Sequence, residues 1–193
     1  IDRLAKEGIK FTQHYSGSTV SAPSRCALMT GKHMGNAEIT SNGDPALPDA
    51  SITVAEALES EGYKSAMIGK WGLGLENTSG EPDKQGFDYY SGYLNQILAH
   101  NTFPEYLLVN GEKMVLDNEV KYLSKDAWHE GLGSYSTEKV EFSNDIFTRQ
   151  GLDFIERYQN DPFFLYLPYT IPHINDEAPK GEYVESPDMG IYK

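Results

Sequence analysis

The chain has 193 residues, which fits one domain or part of a larger one, and its 39% hydrophobic and 23% charged content is typical of a packed soluble fold. Its net charge of −13 argues against non-specific nucleic-acid binding, which depends on Lys and Arg neutralising phosphates. The single cysteine, Cys26, excludes an intrachain disulfide framework, and no apolar stretch is long enough to predict a membrane span.

The N-terminal region predicts two helices and a strand. Residues 1–8 have the pattern of an amphipathic helix ended by Gly8. Apolar and polar residues then alternate from Ile9 to Tyr15, which predicts a short strand. Pro23 to Met29 predicts a short helix that stops at Gly31.

The rest of the chain alternates predicted helices with short apolar strands. In order, these are a helix from a capping box at Thr53 to about Glu61, a buried strand Lys64 to Gly69, a loop-rich stretch 72–88, a hairpin Glu105 to Leu116 turning at Asn110-Gly111, a helix Ser143 to Tyr158 and a buried strand Phe163 to Leu167. This order predicts an α/β sandwich around a central sheet.

The segment Ser21-Ala22-Pro23-Ser24-Arg25 carries the first chemical signal. Ser21 would lie at the mouth of the predicted helix, where free N–H groups and the positive end of the helix dipole favour an anion. Arg25 lies four residues later and could face back toward Ser21. The short string alone favours the simpler interpretation of a capping serine and a surface arginine, because so short a string recurs by accident.

Two longer motifs strengthen the functional interpretation. The segment from Ser21 to Gly31, S-A-P-S-R followed by L-M-T-G, resembles the signature of formylglycine-dependent sulfatases, in which the first residue is Cys or Ser. The segment from Gly62 to Gly74 resembles the second signature of that family, G-Y-x-T-x-x-x-G-K-W-H-x-G. The resemblance implies an alkaline-phosphatase-like α/β sandwich, with a largely parallel central sheet and helices on both faces. It also implies that residues 1–193 are part of an N-terminal catalytic sulfatase domain whose first strand and C-terminal portion are absent.

The resemblance assigns roles to several residues. Ser21 would be oxidised to formylglycine by a maturase, and its hydrated aldehyde would attack the sulfur of a sulfate ester. Arg25 would hold this group, and Lys70 would contact the sulfate, whose oxygens gain negative charge during the reaction. His173, in Pro172-His173, matches the segment where the family has a histidine general acid, and His100 is a candidate for substrate contact.

Two departures from the family pattern affect this interpretation. Gly72 stands where the second signature has histidine, so another residue, for example His100, would have to replace it. The family also binds Ca²⁺, and this chain would supply only the oxygen derived from Ser21, because the segments with the other ligands are not in it. A hard cation of this kind needs about six to eight oxygen ligands.

The expected reaction is hydrolysis of a sulfate ester on a carbohydrate, and the resemblance to bacterial glycan sulfatases implies a bacterial enzyme in the periplasm or secreted. Serine at position 21 suggests an anaerobic bacterium with a serine-competent maturase. One alternative is a phosphonate or phosphodiester hydrolase of the same superfamily. Another is a non-catalytic glycan-binding relative, in which Ser21 is never modified.

Overall fold

A computed structural model describes residues 2–123 and 132–187, which form a five-stranded sheet and a separate two-stranded ribbon. The helices are α1 (Asp2–Glu7), α2 (Ser21–Thr30), α3 (Val54–Glu59) and α4 (Ser143–Tyr158). The strands are β1 (Lys64–Lys70), β2 (Tyr89–Tyr93), β3 (Tyr106–Val109), β4 (Glu112–Val115), β5 (Glu119–Tyr122), β6 (Ser134–Glu138) and β7 (Phe163–Tyr166). None of the helices in these ranges is long and apolar enough to cross a membrane.

The sheet has the strand order β4-β3-β2-β1-β7. β1 lies between β2 and β7 and pairs in parallel with both, whereas the hairpin β3–β4 adds two antiparallel strands at one edge. The carboxyl ends of β1, β2 and β7 therefore meet at one edge of the sheet. In open α/β sheets this edge is the usual place for a ligand site.

Helices cover both faces of the sheet, because successive side chains of β1 point to opposite sides. Met67 packs with residues of α2 and α3 in one buried cluster. Its neighbours Ala66 and Ile68 pack in a second cluster with Ile146, Phe147 and other residues of α4. The predicted α/β sandwich with helices on both faces is confirmed.

Local sequence signals account for most element ends. The Thr53 side chain accepts a hydrogen bond from the Glu56 amide while the Glu56 carboxylate accepts one from the Thr53 amide, so the predicted capping box is present. Gly31 ends α2 in the left-handed conformation, with φ of 69°. Asn110 and Gly111 both have positive φ in the β3–β4 turn, as this hairpin signal requires.

The structure corrects two predictions and adds three strands. Residues 9–15 form no strand; among the described residues none pairs with them, and Ile9 and Phe11 are exposed, since alternation alone cannot hold a strand without a neighbour. Strand β7 is half-buried rather than buried. Strands β2, β5 and β6 were not predicted.

Candidate active site

Ser21 and Arg25 lie one helical turn apart at the start of α2. The Nε atom of Arg25 donates a hydrogen bond to Ser21 Oγ over 3.2 Å, so Arg25 faces Ser21 as their spacing predicted. The helix begins at Ser21, and the next amide, that of Ala22, donates to Asn42 Oδ1 over 2.9 Å. Ser21 Oγ thus sits at the amino end of a ten-residue helix and beside a guanidinium, where negative charge is favoured.

Arg25 connects α2 to the ends of two strands. Its Nη1 atom donates to the carbonyl oxygen of Lys70, the last residue of β1, and to the hydroxyl of Tyr166, the last residue of β7, over 3.3 Å. Ser21, Arg25 and Lys70 were proposed from two motifs about 40 residues apart, and the fold brings them together at the carboxyl edge of the sheet.

The electrostatics of this group favour an anion. Lys70 is only 5% exposed, and burial, followed by repulsion from Arg25, lowers the pKa of its ammonium to about 7. Burial also lowers the pKa of Arg25, an effect that Tyr166 opposes. Within residues 2–123 and 132–187, neither cation has a carboxylate at ion-pair distance. A buried cation beside a half-buried one, with no carboxylate partner for either, is costly unless an anion binds between them.

A second group of polar side chains contains both candidate histidines. The His100 and His173 rings are stacked, with centroids 4.8 Å apart and planes 15° apart. The Nδ1 atom of His100 lies 3.0 and 3.1 Å from the two carboxylate oxygens of Glu177, whose side chain is 2% exposed. His173 is exposed, and its Nδ1 lies 2.6 Å from the carbonyl oxygen of Ile174. Glu177 was not identified from the sequence, since nothing local marks an acidic loop residue 77 positions from its partner.

Buried hydrogen bonds position the loops that carry these histidines. Asn144 of α4 bonds the side chain and the backbone of Thr170, and the His173 amide donates to the Thr170 carbonyl over 3.1 Å. On the other side, the Tyr93 hydroxyl donates to the Asn101 carbonyl over 2.7 Å, directly after the short 3-10 helix Leu98–His100. Both anchors were missed because nothing in the local sequence marks Asn144 or Tyr93 as a partner of these loops.

A side chain at position 72 would be strained and would displace Gln96. The φ of Gly72 is +79°, and a Cβ atom added to it would lie 1.9 Å from Gln96 Nε2. Gln96 Nε2 instead donates to the Gly72 carbonyl over 3.1 Å. The glutamine therefore occupies the space that the family's histidine would need, and it was not identified from the sequence.

A cleft of about 810 Å³ opens beside these residues. Ala22, Gly72, Gln96, His100 and Glu177 line it, so it joins the amino end of α2 to the loops that follow β1, β2 and β7. Its other lining residues include the polar side chains of Asn42, Asp44, Thr78, Asn95 and Asp176. A cleft of this size, lined by both polar and apolar side chains and lying beside a cationic group, can accommodate a saccharide sulfate ester.

The described residues do not by themselves fit a calcium ion. Among residues 2–123 and 132–187, no three His, Cys, Asp or Glu side chains are arranged to hold a metal. Ser21 Oγ is flanked by Arg25, and the nearby Asn42 oxygen already accepts from Ala22. The oxygen-rich shell that Ca²⁺ requires would need ligands from elsewhere.

Sequence comparisons relate the chain to known proteins. The family model described as Sulfatase matches residues 1–190. An arylsulfatase of Hemicentrotus pulcherrimus is 33% identical over 200 residues, covering 90% of this chain and 32% of its own length. An N-acetylglucosamine-6-O-sulfatase of Bacteroides thetaiotaomicron is 32% identical over 176 residues, covering 91% of this chain and 26% of its own length. The chain thus spans about a third or less of these curated relatives.

Solved structures show the same fold. A protein in complex with its substrate D-glucosamine-2-N,6-O-disulfate superposes with a TM-score of 0.66 at 27% identity, over 89% of this chain and 29% of that one. The structure of Ps i-CgsB gives the same TM-score at 23% identity, over 89% of this chain and 39% of that one, and at that identity it supports the fold alone.

Proposed function

The chain belongs to the sulfatase family, and on that premise we propose that the complete protein is a sulfuric ester hydrolase acting on a sulfated saccharide, with Ser21 as the residue converted to formylglycine. The observation that carries the proposal is that buried Lys70 and half-buried Arg25 lie beside each other, neither paired with a carboxylate among residues 2–123 and 132–187, and that Arg25 is hydrogen-bonded to Ser21. Such a pair has a clear use in binding an anionic ester and stabilising the charge that develops on it.

A plain serine hydroxyl is a weak nucleophile, and no histidine or carboxylate is hydrogen-bonded to Ser21 within the described ranges that could activate it as a base. A formylglycine at position 21, once hydrated, would supply a better nucleophile that can be regenerated after sulfate leaves. Arg25 would hold an oxygen of this group, as its Nε atom holds Ser21 Oγ at 3.2 Å. The fixed positive charge of Arg25 favours an ionised oxygen at that position.

Lys70 and Arg25 would bind the sulfate group. An anion placed between them favours the protonated form of Lys70 and raises its pKa from about 7. Because both groups are already desolvated, their interaction with sulfate is stronger than it would be between exposed charges. Arg25 is in turn held by the Lys70 carbonyl and Tyr166, so the pair is preorganised for the transition state.

His173 is the proposed proton donor to the leaving alcohol, and His100 the proposed substrate contact. The Ile174 carbonyl accepts from Nδ1 of His173, which leaves Nε2 available for the leaving oxygen. Glu177 orients His100 in the same way through Nδ1, so Nε2 of His100 is available to a ligand in the cleft. Their stacked arrangement brings both rings to one side of the cleft.

The substrate class, the maturase, the location and calcium binding are further parts of the proposal. A saccharide substrate is favoured by the size and mixed lining of the cleft and by relatives named as N-acetylglucosamine-6-O-sulfatase and N-acetylgalactosamine-6-O-sulfatase, both from Bacteroides thetaiotaomicron. We further propose a formylglycine-generating maturase as partner and a bacterial periplasmic or secreted location. Calcium would be bound by the complete protein, with the Ser21-derived oxygen as one ligand, and residues 1–193 would be part of its N-terminal catalytic domain.

The proposal is tested on the full-length protein, co-expressed with a serine-competent maturase. Hydrolysis of N-acetylglucosamine 6-sulfate, N-acetylgalactosamine 6-sulfate and 4-nitrophenyl sulfate is compared with that of bis(4-nitrophenyl) phosphate. We expect sulfate esters to have the higher kcat/KM. A preference for the phosphodiester would instead support the phosphodiester hydrolase of the same superfamily, and no turnover despite modified Ser21 would contradict the proposal.

A further inference from the structure

We propose that Gln96 is a substrate-positioning residue that binds the saccharide beside the reacting sulfate. This inference deepens the proposed function and rests on it. Gln96 lines the cleft together with Ala22, Gly72 and His100, and it reaches the site from a loop that no sequence motif marks. Three features of its environment carry the argument: its backbone position, its dependence on Gly72 and its unused hydrogen-bonding groups.

The backbone brings Gln96 to the site because β1 and β2 continue side by side beyond their ends. The Trp71 amide donates to the Tyr93 carbonyl over 2.8 Å, and the Gly72 amide donates to the Leu94 carbonyl over 3.1 Å. Gln96 follows two residues later. Its side chain contacts Gly72, which lies two residues after Lys70, the last residue of β1. Gln96 is therefore held at the carboxyl edge of the sheet.

Gln96 and Gly72 are structurally interdependent. A Cβ atom at position 72 would lie 1.9 Å from Nε2 and 2.7 Å from Cδ of Gln96, so the side chain occupies its place only because residue 72 is glycine. The hydrogen bond from Nε2 to the Gly72 carbonyl, 3.1 Å long, then holds the amide over the backbone. The Gln96 amide thus lies at the cleft where a side chain of residue 72 would otherwise be.

The amide keeps hydrogen-bonding capacity that the protein does not use. Nε2 must be the atom facing the Gly72 carbonyl, because two oxygens at 3.1 Å would repel. In the described part of the chain, Nε2 makes no second hydrogen bond and Oε1 is buried without a partner. An unsatisfied buried acceptor is costly, and because Oε1 is closed to solvent, a ligand donor recovers that cost when the Gln96 amide turns toward the cleft.

The remaining donor and acceptor match a saccharide better than a sulfate. A sugar hydroxyl both donates and accepts, so it can satisfy Oε1 or the second Nε2 hydrogen, whereas a sulfate group only accepts. The charge of the sulfate is already matched by Arg25 and Lys70. Gln96 is therefore assigned to the saccharide, and its loss should weaken binding of the sugar more than binding of inorganic sulfate.

The test measures KM for N-acetylglucosamine 6-sulfate and N-acetylgalactosamine 6-sulfate, and the inhibition constant for inorganic sulfate, with mature full-length enzyme. Gln96→Ala should raise KM for the hydrolysed saccharide about 3–10-fold, the loss expected for one neutral hydrogen bond. The inhibition constant for sulfate should stay within twofold. Gln159→Ala is the matched control, because this exposed glutamine also donates to a backbone carbonyl, that of Glu156 over 2.9 Å.

Gly72→Ala provides an independent variant, since its Cβ must displace the Gln96 amide. It should raise KM for the saccharide as Gln96→Ala does, and the double variant should raise KM no further. An unchanged KM in Gln96→Ala, a loss confined to kcat, or equal weakening of saccharide and sulfate would each overturn the assignment. A wild-type enzyme whose Ser21 is modified and that hydrolyses none of the sulfate esters refutes the proposed function itself and removes the basis of this inference.

Discussion

Replacement of Lys70 by methionine tests the electrostatic basis of the site. Methionine keeps much of the length and apolar volume of the lysine side chain but removes the ammonium that burial and Arg25 hold at a pKa of about 7. If Lys70 binds sulfate in its protonated form, wild-type affinity for inorganic sulfate should depend on pH and that of Lys70→Met should not. The arginine stays charged throughout and provides a constant background in both proteins.

The size of the effect follows from the lowered pKa. A buried lysine with a pKa near 7 is mostly protonated below that pH, so sulfate affinity is greatest there. Above it, forming the complex requires uptake of a proton, and affinity should fall by up to about tenfold per pH unit, or roughly 1.4 kcal/mol. Between pH 7 and pH 9 we expect a decrease of about 10- to 100-fold. Tyr166 does not titrate in this window, because burial raises its pKa above its ordinary value.

Titration calorimetry of inorganic sulfate with the full-length protein measures both quantities. At pH 8.5, in buffers of different ionisation enthalpy, wild type should take up close to one proton per sulfate bound and Lys70→Met none. The variant retains every other ionisable group near the site, so proton uptake that does not depend on Lys70 would persist in it. Wild-type affinity that is flat from pH 7 to pH 9, without proton uptake, would refute the assignment of Lys70 to sulfate.

Three further predictions concern the proton donor and the framework. His173→Ala should reduce kcat about 10²-fold or more on a saccharide sulfate but much less on 4-nitrophenyl sulfate, whose leaving group needs little protonation; equal losses on the two substrates would make His173 structural. Thr53→Ala should lower the free energy of unfolding by about 1–2 kcal/mol in urea titrations, because Thr53 both caps α3 and donates to the Gln85 carbonyl over 2.7 Å, and kcat should be unchanged. Gly69→Ala should lower it by about 2 kcal/mol or more, because its φ is +135° and its Cβ would lie 2.3 Å from the Pro168 carbonyl oxygen; a change below 0.5 kcal/mol would contradict that reasoning.

Local signals in the sequence were sufficient for much of the fold. The capping box at Thr53, the turn at Asn110-Gly111 and the apolar period of α4 each fix structure through neighbours a few residues away. Strand β2 was missed although its tyrosines favour strands, because Ser91 and Gly92 interrupt the apolar pattern and the strand is held by pairing with β1. Residues 9–15 show the opposite error. Their alternation predicted a strand, but none of the described residues pairs with them.

The residues of the candidate site likewise fall into those that the sequence identified and those that it did not. Ser21, Arg25 and Lys70 stand in two linear motifs, so their chemistry could be proposed before their contact was known. Gln96 and Glu177 stand in no motif, and their positions depend on the ends of β1 and β2 and on a loop beyond β7. Their roles become visible only in the folded protein, where Gln96 contacts Gly72 and Glu177 contacts His100.

The central claim, that Ser21 becomes the formylglycine of a sulfatase, is tested most directly by peptide mass spectrometry combined with activity on the same preparations. Full-length protein is produced with and without a serine-competent maturase, and the peptide containing Ser21 is analysed alongside hydrolysis of the sulfate esters named above. We predict a loss of two hydrogens at Ser21 only with the maturase, with kcat rising in proportion to the modified fraction. Full sulfatase activity in protein whose Ser21 is entirely unmodified would contradict the account.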